Sequence, residues 1–313
     1  MKRAAVVGID LGGTNTLLGI VDQNGRLLSD VKLPTQSYPE IADFIAALYR
    51  HVRRMATALE VELRGVGVGA PCGNYYTGTI EFAPNLPWKG VLPLGDLLQA
   101  EFGLPVRVTN DANAAAEGEM RYGKAIGKKN FIEITLGTGL GAGIVIDGKV
   151  VYGADGFAGE LGHVIVEKGG RPCGCGLRGC LETYVSATGV VKTFQEKSKD
   201  RGESDTVVKP SEVTARSIAL AAEKGDELAL EVMRYTGQIL GEALASFVAF
   251  SAPEMIVLFG GLAKAGNLLL APAKAHMDQN LLRLWKGKID LVTSGLDEDQ
   301  AAILGAAALA WRA

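Results

Sequence analysis

The sequence predicts an α/β chain of two domains, and three observations carry that expectation. Strands and helices alternate along most of its length, and a strand, a Gly-Thr turn and a second strand occur twice at one fixed spacing. At 313 residues with 48% hydrophobic content, the chain is also long enough for two domains that each bury a core.

The first half reads in order as follows. Ala4 to Ile9 is an apolar run that enters Asp10-Leu11-Gly12-Gly13-Thr14, and Leu17 to Val21 follows before Asp22-Gln23-Asn24-Gly25. Two strands joined by a Gly-rich turn fit this pattern, and a third strand near Leu27 to Leu33 makes the start antiparallel. Between Glu40 and Leu59, Ile41, Phe44, Ile45, Leu48, Val52 and Met55 recur near the 3.6 period of a helix, ahead of a buried strand from Val66 to Gly69. Pro71 to Pro93 reads as a long loop region, of a length that is usually functional or structured in its own right. Val106 to Thr109 is a short strand and Asp111 to Arg121 an Ala-rich helix, so Asn110-Asp111 falls at a strand-to-helix junction.

The pattern then restarts with a strand from Asn130 to Leu136, the turn Gly137-Thr138-Gly139-Leu140-Gly141 and a strand from Ala142 to Ile146. Thr14, Gly19, Ile20 and Val21 map onto Thr138, Gly143, Ile144 and Val145 at a constant offset of 124 residues. The remainder alternates helix (Ser211 to Phe250), strand (Met255 to Phe259), Gly260-Gly261 turn, helix (Ala263 to Leu284), strand (Ile289 to Val292) and helix (Asp299 to Trp311). Asp297 is placed to cap the last helix, with Gln300 in the capping-box position. The expected division is residues 1–117 as a small N-terminal α/β domain and 118–313 as a larger one holding a loop at 163–180, with helix 299–313 packing back onto the first.

Composition narrows the partners. Lys+Arg 32 against Asp+Glu 35 leaves a net charge of −3 spread along the chain, which gives no footprint for nucleic acid or an anionic membrane. A small-molecule substrate is expected instead. No signal-like segment opens the sequence and no apolar run approaches the ~18 residues of a membrane span, so a cytoplasmic location is expected.

A Gly-Gly-Thr turn between antiparallel strands lets backbone N–H groups and a hydroxyl approach phosphate oxygens, because glycine has no Cβ to hold a ligand away. Two such turns at repeat-related positions favour a phosphate clamp over two ordinary hairpins. Neither turn is followed by Gly-Lys-Ser/Thr, and neither leads directly into a helix, so neither is a Walker or a Rossmann fingerprint. His163, Cys173, Cys175 and Cys180 form a Cys₃His set with glycines between the thiols, suited to a closed, structural tetrahedral Zn²⁺ site. His163 would place one nitrogen on zinc and leave the other for substrate. Asp111 reads either as a general base projected from a helix N-terminus or as that helix's cap.

Asp10-Leu11-Gly12-Gly13-Thr14, Asn110-Asp111-Ala112-Asn113, Gly159-Glu160-Leu161-Gly162-His163 and Cys173-Gly-Cys-Gly-Leu-Arg-Gly-Cys180, in this order, resemble the ROK family of sugar kinases and repressors. The resemblance implies the two-domain actin-like ATPase (ribonuclease H-like) fold, with ATP and sugar in the interdomain cleft. It implies Gly12, Gly13 and Thr14 at the γ-phosphate, Gly137, Thr138 and Gly139 at the β-phosphate, and Gly260 and Gly261 at the adenosine. Asp10 would organise Mg²⁺ through water, Asp111 would act as catalytic base on the sugar, and Asn85, Asn110, Glu160, His163 and Glu182 would bind sugar hydroxyls. The implied activity is transfer of the ATP γ-phosphate to the 6-hydroxyl of an aldohexose, glucose first, with N-acetylglucosamine or N-acetylmannosamine as alternatives and a homodimer as the common assembly. The family's sugar-sensing repressors are the rival class; they carry a helix-turn-helix domain ahead of the kinase fold, and the first strand begins here within a few residues of Met1. Two positions depart from the family pattern: Cys72 stands where glycine is usual, and Leu17 replaces a frequent polar residue.

Overall fold

The computed structural model describes residues 2–201, 206–208 and 212–312. The first sheet contains β1 (Arg3–Leu11), β2 (Asn15–Asp22), β3 (Leu27–Pro34), β4 (Val61–Gly69) and β7 (Val106–Thr109), in the order β3-β2-β1-β4-β7. The second contains β8 (Phe131–Leu136), β9 (Leu140–Ile146), β10 (Lys149–Val150), β11 (Met255–Phe259) and β12 (Asp290–Thr293), in the order β10-β9-β8-β11-β12. The two orders match position for position. In each sheet, antiparallel pairing precedes a parallel pair added at the other edge: β1–β2 and β2–β3 against β1–β4 and β4–β7, and β10–β9 against β8–β11 and β11–β12. The internal repeat is therefore a duplicated sheet topology.

The Pro71 to Pro93 region carries its own short antiparallel pair, β5 (Ile80–Glu81) with β6 (Val91–Leu92). α1 (Ile41–Ala58) and α3 (Asp111–Tyr122) form where the sequence predicts helices. α2 (Leu94–Phe102) was not anticipated, although Pro93 before it and Gly103 after it are the usual flanks of a short helix. α4 (Ala187–Arg201) was also unforeseen. The single helix expected from Ser211 to Phe250 is two, α5 (Ala215–Glu223) and α6 (Glu227–Ser251); Ser211 itself lies outside the described residues. α5 ends at Lys224-Gly225, with Gly225 at φ 85° in the left-handed region, and Asp226 caps α6 by accepting from the Ala229 amide, although the apolar spacing runs on across the turn. Likewise the helix expected from Ala263 is a 3-10 turn (Gly261–Ala265) followed by α7 (Asn267–Asn280). α8 (Glu298–Ala310) is capped by Asp297, whose side chain accepts from the Asp299 amide.

The chain divides by contact into two units: Met1–Gly127 with Gly143–Gly159 and Gly295–Ala313, and Lys128–Ala142 with Glu160–Ser294. The sequence-based boundary at 117/118 differs from this because the first unit takes up two later segments. α8 belongs to the first unit because it packs against β1, β4 and α3 there. Its backbone lies so close to the sheet that a Cβ on Gly67 would sit 1.9 Å from the Ala306 carbonyl oxygen. Gly67→Ala is therefore expected to destabilise the protein by about 3 kcal/mol, since backbone rather than a flexible side chain must give way. Urea denaturation measures this; an unchanged midpoint would show that α8 is free to shift.

Around the first unit's sheet, Phe44, Leu48, Ile9, Val68 and Leu98 are among the side chains of one core. In the second unit, α6 and α7 cover β8 and β11 with Leu240, Leu244, Leu269, Ile134 and Leu258. Leu17 packs with the apolar cluster of Val6, Val21 and Ile303 beneath α8, which accounts for an apolar residue at that position. Cys72 has φ 54°, in the left-handed region that glycine occupies without strain, so the cysteine costs about 1 kcal/mol there. Among the described residues, no helix is long and apolar enough to cross a membrane.

Candidate active site

In the first unit, β1 delivers Asp10 at its end and the turn Gly12 to Thr14 follows, closed by the Gly12 amide donating to the Asn15 carbonyl at 3.1 Å. Two side chains not singled out from the sequence hold this turn from outside. Thr35 Oγ1 donates to the Gly12 carbonyl at 2.8 Å and the Thr35 amide to that of Thr14 at 2.9 Å, while Gln36 Nε2 donates to the carbonyls of Gly13 and Asn85 at 2.5 and 3.1 Å. Hairpin register could have found them, because Pro34 pairs with Asn15 and brings the next two residues to the turn. Asn85 lies against Gly13, where a Cβ would approach the Asn85 Cβ to 2.8 Å.

The strand-to-helix junction removes one of the two readings of Asp111, that of helix cap. Asn110 is the cap: its Oδ1 accepts from the Asn113 amide at 2.7 Å. Asp111 is thereby left out of the capping role, its Oδ1 accepting from the adjacent Ala112 amide at 2.9 Å. Asp111 keeps solvent-accessible surface, yet protein atoms crowd it closely. This lost solvation raises its pKa, against the lowering effect of backbone amides.

Asp10 is pushed up to about 6, first by burial and then by the negative charge of Asp111. The two carboxylates are therefore near enough for their charges to repel, and a cation or a shared proton relieves that repulsion. Because Asp10 binds its proton more tightly in the folded chain, its contribution to stability falls as pH rises through about 4 to 6, and the penalty persists above that. Asp10→Asn should accordingly be more stable than the parent at pH 8 by ~1–3 kcal/mol and no more stable at pH 4. Thermal melts in magnesium-free buffer at the two pH values test this, and a gain that is equal at both would remove the electrostatic explanation.

In the second unit, the turn Gly137 to Gly139 is braced much as the first is. The Ala187 amide donates to the Gly137 carbonyl at 2.9 Å and Thr188 Oγ1 to the Thr138 carbonyl at 2.9 Å, both from the start of α4. Gly260 has φ 96°, and a Cβ there would lie 2.7 Å from the Leu136 carbonyl oxygen, so β11 can turn beside β8 only with glycine. Gly137, Thr138 and Gly261 line a single cavity of about 610 Å³, together with residues of α5. Three of the five predicted nucleotide residues of this unit thus share one cavity, while Gly139 and Gly260 are not among its lining.

The Cys₃His set also converges. One ligand atom from each of His163, Cys173, Cys175 and Cys180 lies within 4.8 Å of all the others. Cys173 Sγ is 3.6 Å from His163 Nδ1, and Cys175 Sγ is 3.7 Å from Cys180 Sγ. Those spacings fit the roughly 3.4–3.8 Å edges of a tetrahedron around Zn²⁺. The thiols are presented by a loop whose backbone is fixed by Cys173 N–H to the Leu177 carbonyl and Gly179 N–H to the Arg171 carbonyl, at 3.0 and 2.8 Å. With Nδ1 toward the thiols, His163 turns Nε2 toward Glu160 Oε2, 3.9 Å away. Glu182 spans from Cys173 Sγ, 3.0 Å from its Oε1, to Gly139, where a Cβ would meet its Oε2 at 2.8 Å. The cysteine loop and the second Gly-Thr turn are therefore joined through one carboxylate.

Residues 6–313 match the sequence model described as the ROK family. A glucokinase from Halalkalibacterium halodurans is 39% identical over 285 residues, covering 87% of this chain and 84% of that protein. The fold is that of a crystal structure of a ROK family glucokinase from Streptomyces griseus in complex with glucose and AMPPNP, with a TM-score of 0.79 and 32% identity over 99% of this chain and all of that one (100%). An inorganic polyphosphate/ATP-glucomannokinase from Arthrobacter is a further structural relative, with a TM-score of 0.61 and 28% identity over 97% of each chain. With the duplicated sheet, the paired Gly-Thr turns and the Cys₃His loop all in place, the chain belongs to the ROK family.

Proposed function

We propose that this protein is an ATP-dependent hexokinase that transfers the γ-phosphate of ATP to the 6-hydroxyl of an aldohexose, with glucose preferred. The observation that carries the reading is the Asp10–Asp111 pair beside the first Gly-Thr turn, in a chain whose structural relative is described with glucose and AMPPNP. Asp111 accepts the proton of the sugar O6 as that oxygen bonds to the γ-phosphorus, and the bond from phosphorus to the β,γ-bridging oxygen breaks to release ADP. Amides of Gly12, Gly13, Gly137 and Gly139, with the hydroxyls of Thr14 and Thr138, hold the phosphates; Gly260 and Gly261 shape the adenosine end of the cavity. Asp10 would hold magnesium, which would supply neutralisation of phosphate charge. Asn85, Asn110, Glu160, His163 and Glu182 orient the sugar hydroxyls.

Zinc fits the Cys₃His spacing and leaves no coordination position for water, so its contribution is structural. His163, Cys173, Cys175 and Cys180 would hold the ion, and His163 held in this way would keep its Nε2 and the neighbouring Glu160 toward the sugar. The reading extends to a cytoplasmic enzyme of sugar metabolism that works as a homodimer.

A coupled ADP-release assay across glucose, mannose, N-acetylglucosamine and N-acetylmannosamine tests the assignment. Glucose should give the highest kcat/KM. Absence of hexose-stimulated ADP release would overturn the kinase reading, and a higher kcat/KM for either N-acetylated sugar would overturn the preference.

A further inference from the structure

The cavity beside the second Gly-Thr turn has polarity along its length. α5 turns one face into it, with Arg216, Ala219, Leu220 and Glu223 all on its wall. Arg216 and Glu223 are two helical turns apart, about 10 Å along the axis, with the two apolar residues between them. Leu220 is 46% exposed, so an apolar ligand surface can cover it. Lys264 adds a second cation to the lining, and Glu223 is its only carboxylate among the described residues.

We infer that Glu223 makes this cavity selective for a nucleoside triphosphate over inorganic polyphosphate, an inference that rests on the proposed phosphotransfer. A polyphosphate carries negative charge along its whole length and has no hydrogen-bond donors at neutral pH. It gains from an unbroken cationic track and loses against an apolar wall that ends in a carboxylate. A nucleotide is anionic at one end only. Its phosphates meet the Gly-Thr turn and the cations, its base covers Leu220, and the carboxylate of Glu223 accepts from the O–H or N–H donors of the nucleoside. A relative of the same fold is named for both donors, so the fold itself does not make this choice. The lining side chains make it.

Calorimetric titration of the zinc-loaded protein with ADP and with tripolyphosphate, in magnesium buffer, decides the point for wild type and Glu223→Ala. Wild type should bind ADP at least tenfold more tightly than tripolyphosphate. Glu223→Ala should weaken ADP about tenfold and bring the two ligands within threefold of each other, while KM for ATP rises in proportion and KM for glucose holds. Glu223 is exposed at the end of α5, so the variant should fold, and Glu223→Gln, which keeps an acceptor oxygen without the charge, should fall between the two. Tripolyphosphate binding to wild type within threefold of ADP overturns the inference, as does an unchanged ratio in Glu223→Ala. If wild type phosphorylates no hexose with any donor, the proposed reaction falls, and the binding ratio still judges the role of Glu223.

Discussion

Asp111→Asn is expected to lower kcat for glucose phosphorylation by about 10²–10⁴-fold with little change in KM for ATP. The size follows from removal of the group that takes the O6 proton, at a position freed from helix capping by Asn110. Fold should survive, because the cap remains and replacing a desolvated carboxylate with an amide removes a charge penalty. The wild-type rate should also fall at acid pH, since burial raises both carboxylates of the pair and each must be ionised to act as base or to orient magnesium. Steady-state kinetics from pH 5 to 9, with circular dichroism as the folding control, measures both effects. A correctly folded Asp111→Asn enzyme within tenfold of the wild-type kcat would assign the proton to another group.

Removal of zinc should raise KM for glucose at least tenfold and leave ADP affinity less affected. Cys180 is fully buried, so Cys180→Ser takes away the ligand at the root of the loop, and metal content by atomic absorption gives a readout independent of turnover. Loss of the metal releases His163 and with it Glu160, both on the sugar side of the proposed site. The loop should not unravel entirely. Arg171, 8% exposed, donates to the Thr183 carbonyl at 2.7 Å and to Thr193 Oγ1 at 2.9 Å, and its guanidinium lies 4.4 Å from the Tyr184 ring centroid. That clamp keeps the Glu182–Thr183 turn attached to α4 when the thiols lose their partner. Some disturbance should still reach the nucleotide through the contact of Glu182 with Gly139. Zinc-free protein with unchanged glucose KM would make the clamp sufficient on its own and the metal irrelevant to the sugar.

Features set by local spacing were legible in the sequence. The period-3.6 pattern of α1, the strand-turn-strand pairs around Thr14 and Thr138, the Asp297 cap and the Cys-x-Cys-x₄-Cys spacing each involve residues close in the chain, where backbone geometry alone fixes who meets whom. The repeat at an offset of 124 residues foretold a strand, a Gly-Thr turn and a strand opening each half; that both sheets share one strand order emerged from the structure. Boundaries between helices were less legible. Apolar periodicity continues through Lys224-Gly225 even though Gly225, at φ 85°, ends one helix and Asp226 caps the next, so hydrophobic spacing could not reveal the turn that capping decides.

Tertiary structure alone decided the rest. Which of Asn110 and Asp111 caps α3 depends on where each oxygen lies relative to the Asn113 amide, and both residue types cap helices well. The roles of Thr35 and Gln36 arise from the end of β3 folding back on the first Gly-Thr turn, and neither residue belongs to a chemical motif. The packing of the last helix onto the first unit was expected from the sequence, but the close approach of its backbone to Gly67 on β4, more than two hundred residues away in the chain, belongs to the folded structure. The sequence by itself determined the family, the paired Gly-Thr turns and the convergent Cys₃His set, since these need only residue type and spacing. The orientation of His163, the bridging place of Glu182 and the polarity of the α5 cavity required side chains distant in sequence to be packed against one another, and packing is a property of the folded chain.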